Sequence, residues 1–160
     1  MEFVTGFFRR AKEMALNTAL DTSGFVRVED VRGLLDQTDL VLLDIKQTDS
    51  AAHRSLTGVG NERIIDFARF LTEIKKPVWV RQVLIPGINT DERQLDKLAG
   101  LLQEMPNIER VELLGYHKLG AHKWALAGCA DPLSDIPAAG NEQVERAKAY
   151  LRSKGVENVI

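Results

Sequence analysis

The run Leu40-Val-Leu-Leu43 is apolar at every position and lies between segments whose apolar residues recur at helical spacing. A strand with one face in water alternates apolar and polar side chains, whereas a strand apolar throughout is buried on both faces, as in a parallel sheet covered by helices. Before the run, Val28, Val31, Leu34 and Leu35 mark a helix; after it, Asn61 is placed as the N-cap of a helix carrying Ile64, Phe67, Ala68, Leu71 and Ile74 on one face. Pro77 ends that helix and Val78–Ile85 reads as a long strand. Thr90 then caps a helix whose first turn holds Asp91 and Glu92 and whose sheet-facing side is Leu95, Leu98, Ala99, Leu102 and Met105. Arg110–Leu114 is the next strand.

The two ends extend the pattern. Residues 2–15 place Phe3, Phe7, Ala11, Met14 and Ala15 on one face of an opening helix, followed by a short strand at Asn17–Asp21. Residues 122–140 have little periodicity and form a long loop, which in a compact domain is usually functional or mobile. A terminal helix over 141–155 uses Val144, Ala147 and Leu151 and stops at Gly155. The expected architecture is α/β: one domain over residues 1–160, a parallel sheet of about four strands alternating with helices through right-handed crossovers. Function in such folds gathers where the strands end, at their C-terminal edge.

Composition narrows the classes. With 44% hydrophobic and 28% charged residues the chain has enough apolar surface for one core. Its formal charge of -2 gives no electrostatic reason to expect nucleic acid or an anionic membrane as partner. The N-terminus lacks the layout of a signal peptide and no apolar run approaches the ~18 residues of a membrane span, so a cytoplasmic chain is expected. Cys129 is the single cysteine, which excludes an intramolecular disulfide and any zinc or iron–sulfur site built from several cysteines of this chain.

The four strand ends read Leu20-Asp21-Thr22, Leu43-Asp44-Ile45-Lys46, Ile85-Pro86-Gly87 and Tyr116-His117. Asp44 and Lys46 are two apart, so their side chains share a face while Ile45 points the other way, and together they suit the ammonium and carboxylate of a zwitterion; a local ion pair is the plainer alternative. Arg81 and Glu112 lie mid-strand on what would be neighbouring strands and are expected to face each other in one interior layer, either as a structural ion pair or as the lining of a cleft. Dinucleotide, P-loop and nucleophile-elbow motifs are all missing.

Four segments taken in order, Leu20–Phe25, Asp39–Gln47, Val78–Gly87 and Glu112–Trp124, resemble the activating enzymes of pyruvate formate-lyase, radical S-adenosylmethionine (SAM) oxidoreductases that install a glycyl radical on a partner enzyme. The match runs from about Glu2 to Lys154. The resemblance implies a fragment of a partial (β/α)6 barrel with SAM and a [4Fe–4S] cluster at its mouth. It assigns Asp21, Asp44, Ile45, Lys46 and His117 to the SAM site, and Asp21, Thr22 and Asp44 to a monovalent cation beside it. Arg81 and Tyr116 would line the channel that admits the partner's glycine loop, and the loop after His117 would shape its entrance. A glycyl radical enzyme, in particular pyruvate formate-lyase, is the implied partner, with an electron donor such as flavodoxin.

The family's C-x-x-x-C-x-x-C loop, the strand carrying it and the Gly-Gly-Glu strand end that grips the SAM amine would all precede the equivalent of Glu2, and none is in this sequence. Cys129 in the late loop cannot replace three thiolates, so no residue of this chain is assigned as catalytic, and it is expected neither to cleave SAM nor to hold SAM tightly by itself. The expectation is a C-terminal portion, about two-thirds of a barrel, with a bare sheet edge at residues 17–21 that favours a homo-oligomer. The alternative is a stand-alone, non-catalytic binding or regulatory module of the same lineage.

Overall fold

The computed structural model describes residues 2–160. Its elements run α1 (Glu2–Glu13), β1 (Ala19–Thr22), α2 (Val28–Leu35), β2 (Leu40–Asp44), α3 (Ser50–Thr57), α4 (Glu62–Glu73), β3 (Val78–Leu84), α5 (Glu92–Gln103), β4 (Ile108–Gly115), α6 (His122–Leu126) and α7 (Asn141–Ser153). The four strands form one parallel sheet in the order β1-β2-β3-β4, so every connection is a crossover between neighbours. All four C-terminal ends therefore meet at one rim.

Side chains alternate across a strand. Val41 and Leu43 of β2, Val78, Val80 and Leu84 of β3, and Val111 and Leu113 of β4 point to one face and are buried. There they join a single cluster with Val31 and Leu35 of α2, Phe67 and Leu71 of α4, Leu95 and Leu98 of α5, and Ala147 and Leu151 of α7. The opposite face is different from the expectation drawn from β2. Leu40 and Leu42 are only half-buried, because α2, α4, α5 and α7 all cover the other side. The sheet thus has one packed face and one open face, and the charged strand residues are on the open one.

Four local readings change. The stretch 122–140, expected as a loop throughout, opens with the short helix α6 (His122–Leu126). The segment Ser50–Thr57 is a helix with a left-handed C-cap at Gly58, although its only buried residue is His53. Asn61 precedes α4 but does not cap it with its side chain. The N-cap of α5 is Asp91, whose carboxylate accepts from Gln94 N–H at 2.9 Å, rather than Thr90. The opening helix forms as expected, yet no residue of α1 is buried, and Phe3 and Phe7 are 84% and 62% exposed.

Gly24 marks the tightest point between β1 and the helix layer. It has φ of +70°, and a Cβ there would lie 2.9 Å from Leu43 Cδ1 and 3.0 Å from Phe67 Cδ1. Gly24→Ala is therefore expected to cost about 1–3 kcal/mol of stability through left-handed strain and overpacking together. Urea denaturation measures this, and an unchanged midpoint would contradict the packing described.

Asp39 ties α1 to the start of β1. Its carboxylate accepts from Lys12 Nζ and from Thr18 N–H at 2.8 Å. The Lys12 hydrogen bond, then that of Thr18, holds the Asp39 pKa below the usual carboxylate range. A depressed folded-state pKa stabilises the fold above the unfolded value of about 3.9, and the contribution is lost as pH falls through the lower folded value. Thermal melts taken downward from about pH 5 should show a stability loss that is smaller in Asp39→Asn; equal slopes for the two proteins would count against this clamp.

Candidate functional site

The sheet register builds the site. Asp44, Arg81 and Glu112 are in register across β2, β3 and β4, and Asp21 on β1 is one row below, opposite Leu42. All four side chains emerge on the open face. Arg81 Nε donates to Asp44 Oδ1 at 2.9 Å and Arg81 Nη2 donates to Asp21 Oδ1. Lys46 Nζ donates to the other Asp44 oxygen at 2.9 Å. Asp44 and Arg81 are 25% and 22% exposed and Asp21 60%, so the group is half-buried at its centre and open to water on the β1 side.

Burial pulls the Arg81 pKa down, but the hydrogen bond to Asp21 and the charges of Asp44 and Asp21 outweigh it, and the net shift is upward. Arg81 is therefore a fixed positive charge. Its place opposite Glu112 in the layer is as expected, but its ion pairs are not with Glu112. That carboxylate is approached instead by Arg110 Nη1 at 3.5 Å, while the Arg110 guanidinium stacks 3.9 Å above the Trp79 ring. Two carboxylates on the β1 side outcompete one on the β4 side for a guanidinium with a forked set of donors.

The remaining residues singled out in the sequence separate into two groups. Asp44 and Lys46 do share a face, and each holds the other. Ile45 points into the core at 1% exposure, and its N–H donates to Arg81 C=O at 2.9 Å, so the rim has only its backbone carbonyl to use. Thr22, in register with buried Leu43, has its side chain on the packed face, where Oγ1 accepts from Gly24 N–H at 3.0 Å, while Arg81 bridges the Asp21 and Asp44 carboxylates on the open face. Tyr116 is half-buried and its carbonyl accepts from Ala139 N–H, pinning the long loop at its far end. His117 is exposed, and its ring accepts from Leu119 N–H within its own turn at 3.4 Å rather than joining Asp44.

Beneath the rim lies a layer of buried amides that the sequence reading did not single out. Asn89, 1% exposed, accepts from Ile85 N–H at 2.7 Å and donates to Val83 C=O at 2.8 Å and Lys46 C=O at 3.4 Å. It follows a turn in which Pro86 and Gly87 are central, Gly87 has φ of +74°, and Ile88 N–H closes on Ile85 C=O at 3.0 Å, as a type II turn requires. Gln47 accepts from Thr48 N–H at 2.7 Å, and Asn61 donates to Gln47 C=O and Thr48 C=O at 3.1 and 2.8 Å. These amides position Lys46 by fixing the loops that follow β2 and β3. The available signal was Gln47 three residues past the end of β2 and Asn89 five past the end of β3; Asn61, at the start of α4, had no such mark.

No family model matches the chain. The pyruvate formate-lyase 1-activating enzyme of Escherichia coli strain K12 is 40% identical over 156 residues, which is 96% of this chain. The pyruvate formate-lyase-activating enzyme of Staphylococcus aureus strain USA300 is 41% identical over 162 residues, 97% of this chain. The chain is a homologue of the pyruvate formate-lyase-activating enzymes. It spans 63% and 64% of the length of those two relatives. A solved domain of pyruvate formate-lyase-activating enzyme from Bacteroides vulgatus superposes with a TM-score of 0.81 at 26% identity, covering 99% of this chain and 89% of that one. A radical SAM methyltransferase from Sphaerobacter thermophilus, at 21% identity and a TM-score of 0.66 over 92% of this chain and 42% of its own, shares the fold. The likeness read from the four strand-end segments is thus borne out, and so is the parallel-sheet fragment of a radical SAM barrel.

Asn89→Ala would leave Ile85 N–H and Val83 C=O without partners under the rim. The expected cost is about 1–3 kcal/mol, read as a lower urea midpoint. Asn89→Asp, which keeps the acceptor for Ile85 N–H but not the donors, should fall between the two; an Asn89→Ala protein as stable as the parent would show that the amide layer does not hold the rim.

Proposed function

We propose that this chain supplies the methionyl-binding side of a radical SAM activating enzyme that acts on pyruvate formate-lyase in the cytoplasm. The observation that carries the reading is the convergence of Asp21, Asp44, Lys46 and Arg81 on one rim of a chain 40% identical to activating enzymes. Because the chain spans less than two-thirds of those relatives, the whole enzyme's activity, its glycyl radical partner and an electron donor such as flavodoxin belong to this proposal.

The donor set fits part of the cofactor complement. Lys46 would take the carboxylate of the SAM methionyl group, and Asp44 its ammonium or an adjacent monovalent cation shared with Asp21 and Thr22. His117 offers a further contact from the β4 end, and Ile45 a backbone carbonyl. Bound SAM would supply the adenosyl group for the chemistry. Within this chain, Asp44 and Lys46 orient the ligand, while Arg81 and Tyr116 face the side from which a glycine-containing loop would enter. Since Asp44 and Lys46 are already paired at 2.9 Å, a ligand has to exchange that contact for its own, which keeps affinity modest.

A [4Fe–4S] cluster does not fit the residues present. It needs three or four thiolates, and the chain has Cys129 alone, exposed in the loop before α7. Among the described residues no group of three or more His, Cys, Asp or Glu could hold a metal ion. No step through the cluster is therefore assigned to this chain, and its ligands would come from polypeptide outside these 160 residues. Among the described residues no helix is long and apolar enough to cross a membrane.

A split-enzyme assay tests the proposal. The chain, pyruvate formate-lyase, SAM, iron, sulfide and a reductant should give no glycyl radical by electron paramagnetic resonance. Adding a separate polypeptide with the C-x-x-x-C-x-x-C region of a relative should restore a signal that Lys46→Met reduces by at least about tenfold. A radical formed by the chain alone would overturn the dependence on outside thiolates; no radical with the second polypeptide would overturn the assigned activity.

A further inference from the structure

We infer that His53 is a positioning residue for the Lys46 rim, acting through the turn between α3 and α4 rather than by touching a ligand. It is the one buried side chain of α3, at 2% exposure. Its Nδ1 lies 2.7 Å from Val59 C=O and 3.0 Å from Thr57 Oγ1, whereas Nε2 is buried with no partner among the described residues. A carbonyl oxygen only accepts, so Nδ1 carries the proton and donates it to Val59. A buried polar atom without a partner is costly, and a leucine would anchor α3 without that cost. What distinguishes the imidazole from leucine here is the bond to Val59.

That bond falls where the connection between the helices is loosest. Gly58-Val59-Gly60-Asn61 joins α3 to α4, and Gly58 is left-handed, with φ of +86°. Among the described residues, the other bonds on Val59 all go to Thr57 Oγ1, at 3.4 Å from its N–H and 3.2 Å from its C=O. An anchor in the middle of a turn with two glycines sets where the next residue, Asn61, emerges.

Asn61 is 4% exposed and its amide donates to the carbonyls of the two residues directly after Lys46, Gln47 and Thr48. At the front of the same segment Gln47 Oε1 accepts from Thr48 N–H at 2.7 Å and Asp49 N–H at 3.3 Å, and Asp49 caps α3 by accepting from Ala52 N–H at 3.0 Å. Residues 47–61 thus form a bracket that starts after Lys46, runs through α3 and returns through Asn61 to the same peptides. Strand β2 fixes Lys46 from one side and the bracket from the other, with His53 Nδ1 as the latch. The bearing of this latch on SAM rests on reading Lys46 as the residue that takes the ligand's carboxylate; the latch itself does not.

Nitrogen-15 NMR of the full chain tests the starting point: His53 should be the Nδ1-protonated tautomer, and an Nε2-protonated ring would overturn the inference. Three variants then separate the atoms. His53→Asn brings an N–H to about the place of Nδ1, His53→Gln to about that of Nε2, and His53→Leu keeps the apolar contact alone. In amide hydrogen exchange, Thr48 and Asp49 N–H should exchange at least about tenfold faster in His53→Leu and His53→Gln, and within about threefold of the parent in His53→Asn, with the amides of β2 and β3 unchanged. Acceleration spread evenly over the strands would make His53 a packing residue, and no acceleration in His53→Leu would remove the latch; either overturns the inference. In the split-enzyme assay His53→Leu should raise the KM for SAM at least about fivefold with kcat little changed, and an unchanged KM would overturn the positioning role. If the parent chain gives no radical with the second polypeptide, the SAM reading fails instead, and the tautomer and exchange results still decide the latch.

Discussion

Arg81 is the interaction on which the open face depends. A parallel sheet with helices on one side leaves the other side to be filled by whatever its strands carry, and here two adjacent strands, β1 and β2, carry acids within reach of one guanidinium on β3. Asp44 lies beside Arg81 in register and Asp21 lies a row below, so one forked donor bridges both and links β1, β2 and β3, with Lys46 supplying the second positive charge. Removing the cation would leave two carboxylates facing each other in a sheltered row. This is also why Asp44 can hold Lys46 at the same time: the site is close to charge-balanced within the chain.

Function and stability draw on the same register. The C-terminal rim is made by parallel strands, and the buried amides of Gln47, Asn61 and Asn89 convert the ends of β2 and β3 into fixed positions for Lys46 and its neighbours. The apolar face supplies the cohesion: Val41, Leu43, Val78 and Val80 are fully covered by helices. Charged residues tolerated on the open face would be costly on the packed one. The division of labour between two faces of the same strands is what allows a binding rim to be built without weakening the core.

Much of this was legible in the residues. Apolar periodicity located α2, α4, α5, α7 and all four strands, and the spacing of Asp44, Ile45 and Lys46 correctly separated a rim pair from a core residue. What escaped has physical reasons. The helix α3 has small and polar residues with a single buried side chain, a histidine, so it shows no apolar stripe. The run Leu40–Leu43 is apolar on both faces although only one is packed, since a half-buried strand face also accommodates leucine. Thr90 and Asp91 are adjacent capping types and the sequence pattern does not choose between them. The partner of Arg81 depended on the position of the short strand β1, which no pattern within β3 or β4 encodes.

The most direct measurement is a double-mutant cycle between Arg81 and Asp44. Urea unfolding of the parent, Arg81→Gln, Asp44→Asn and the double variant should give a coupling energy of about 1–3 kcal/mol, with the double variant less destabilised than the two single losses combined. Losses that add to within about 0.5 kcal/mol would mean that the two side chains do not act as a unit, and would contradict the account of the open face.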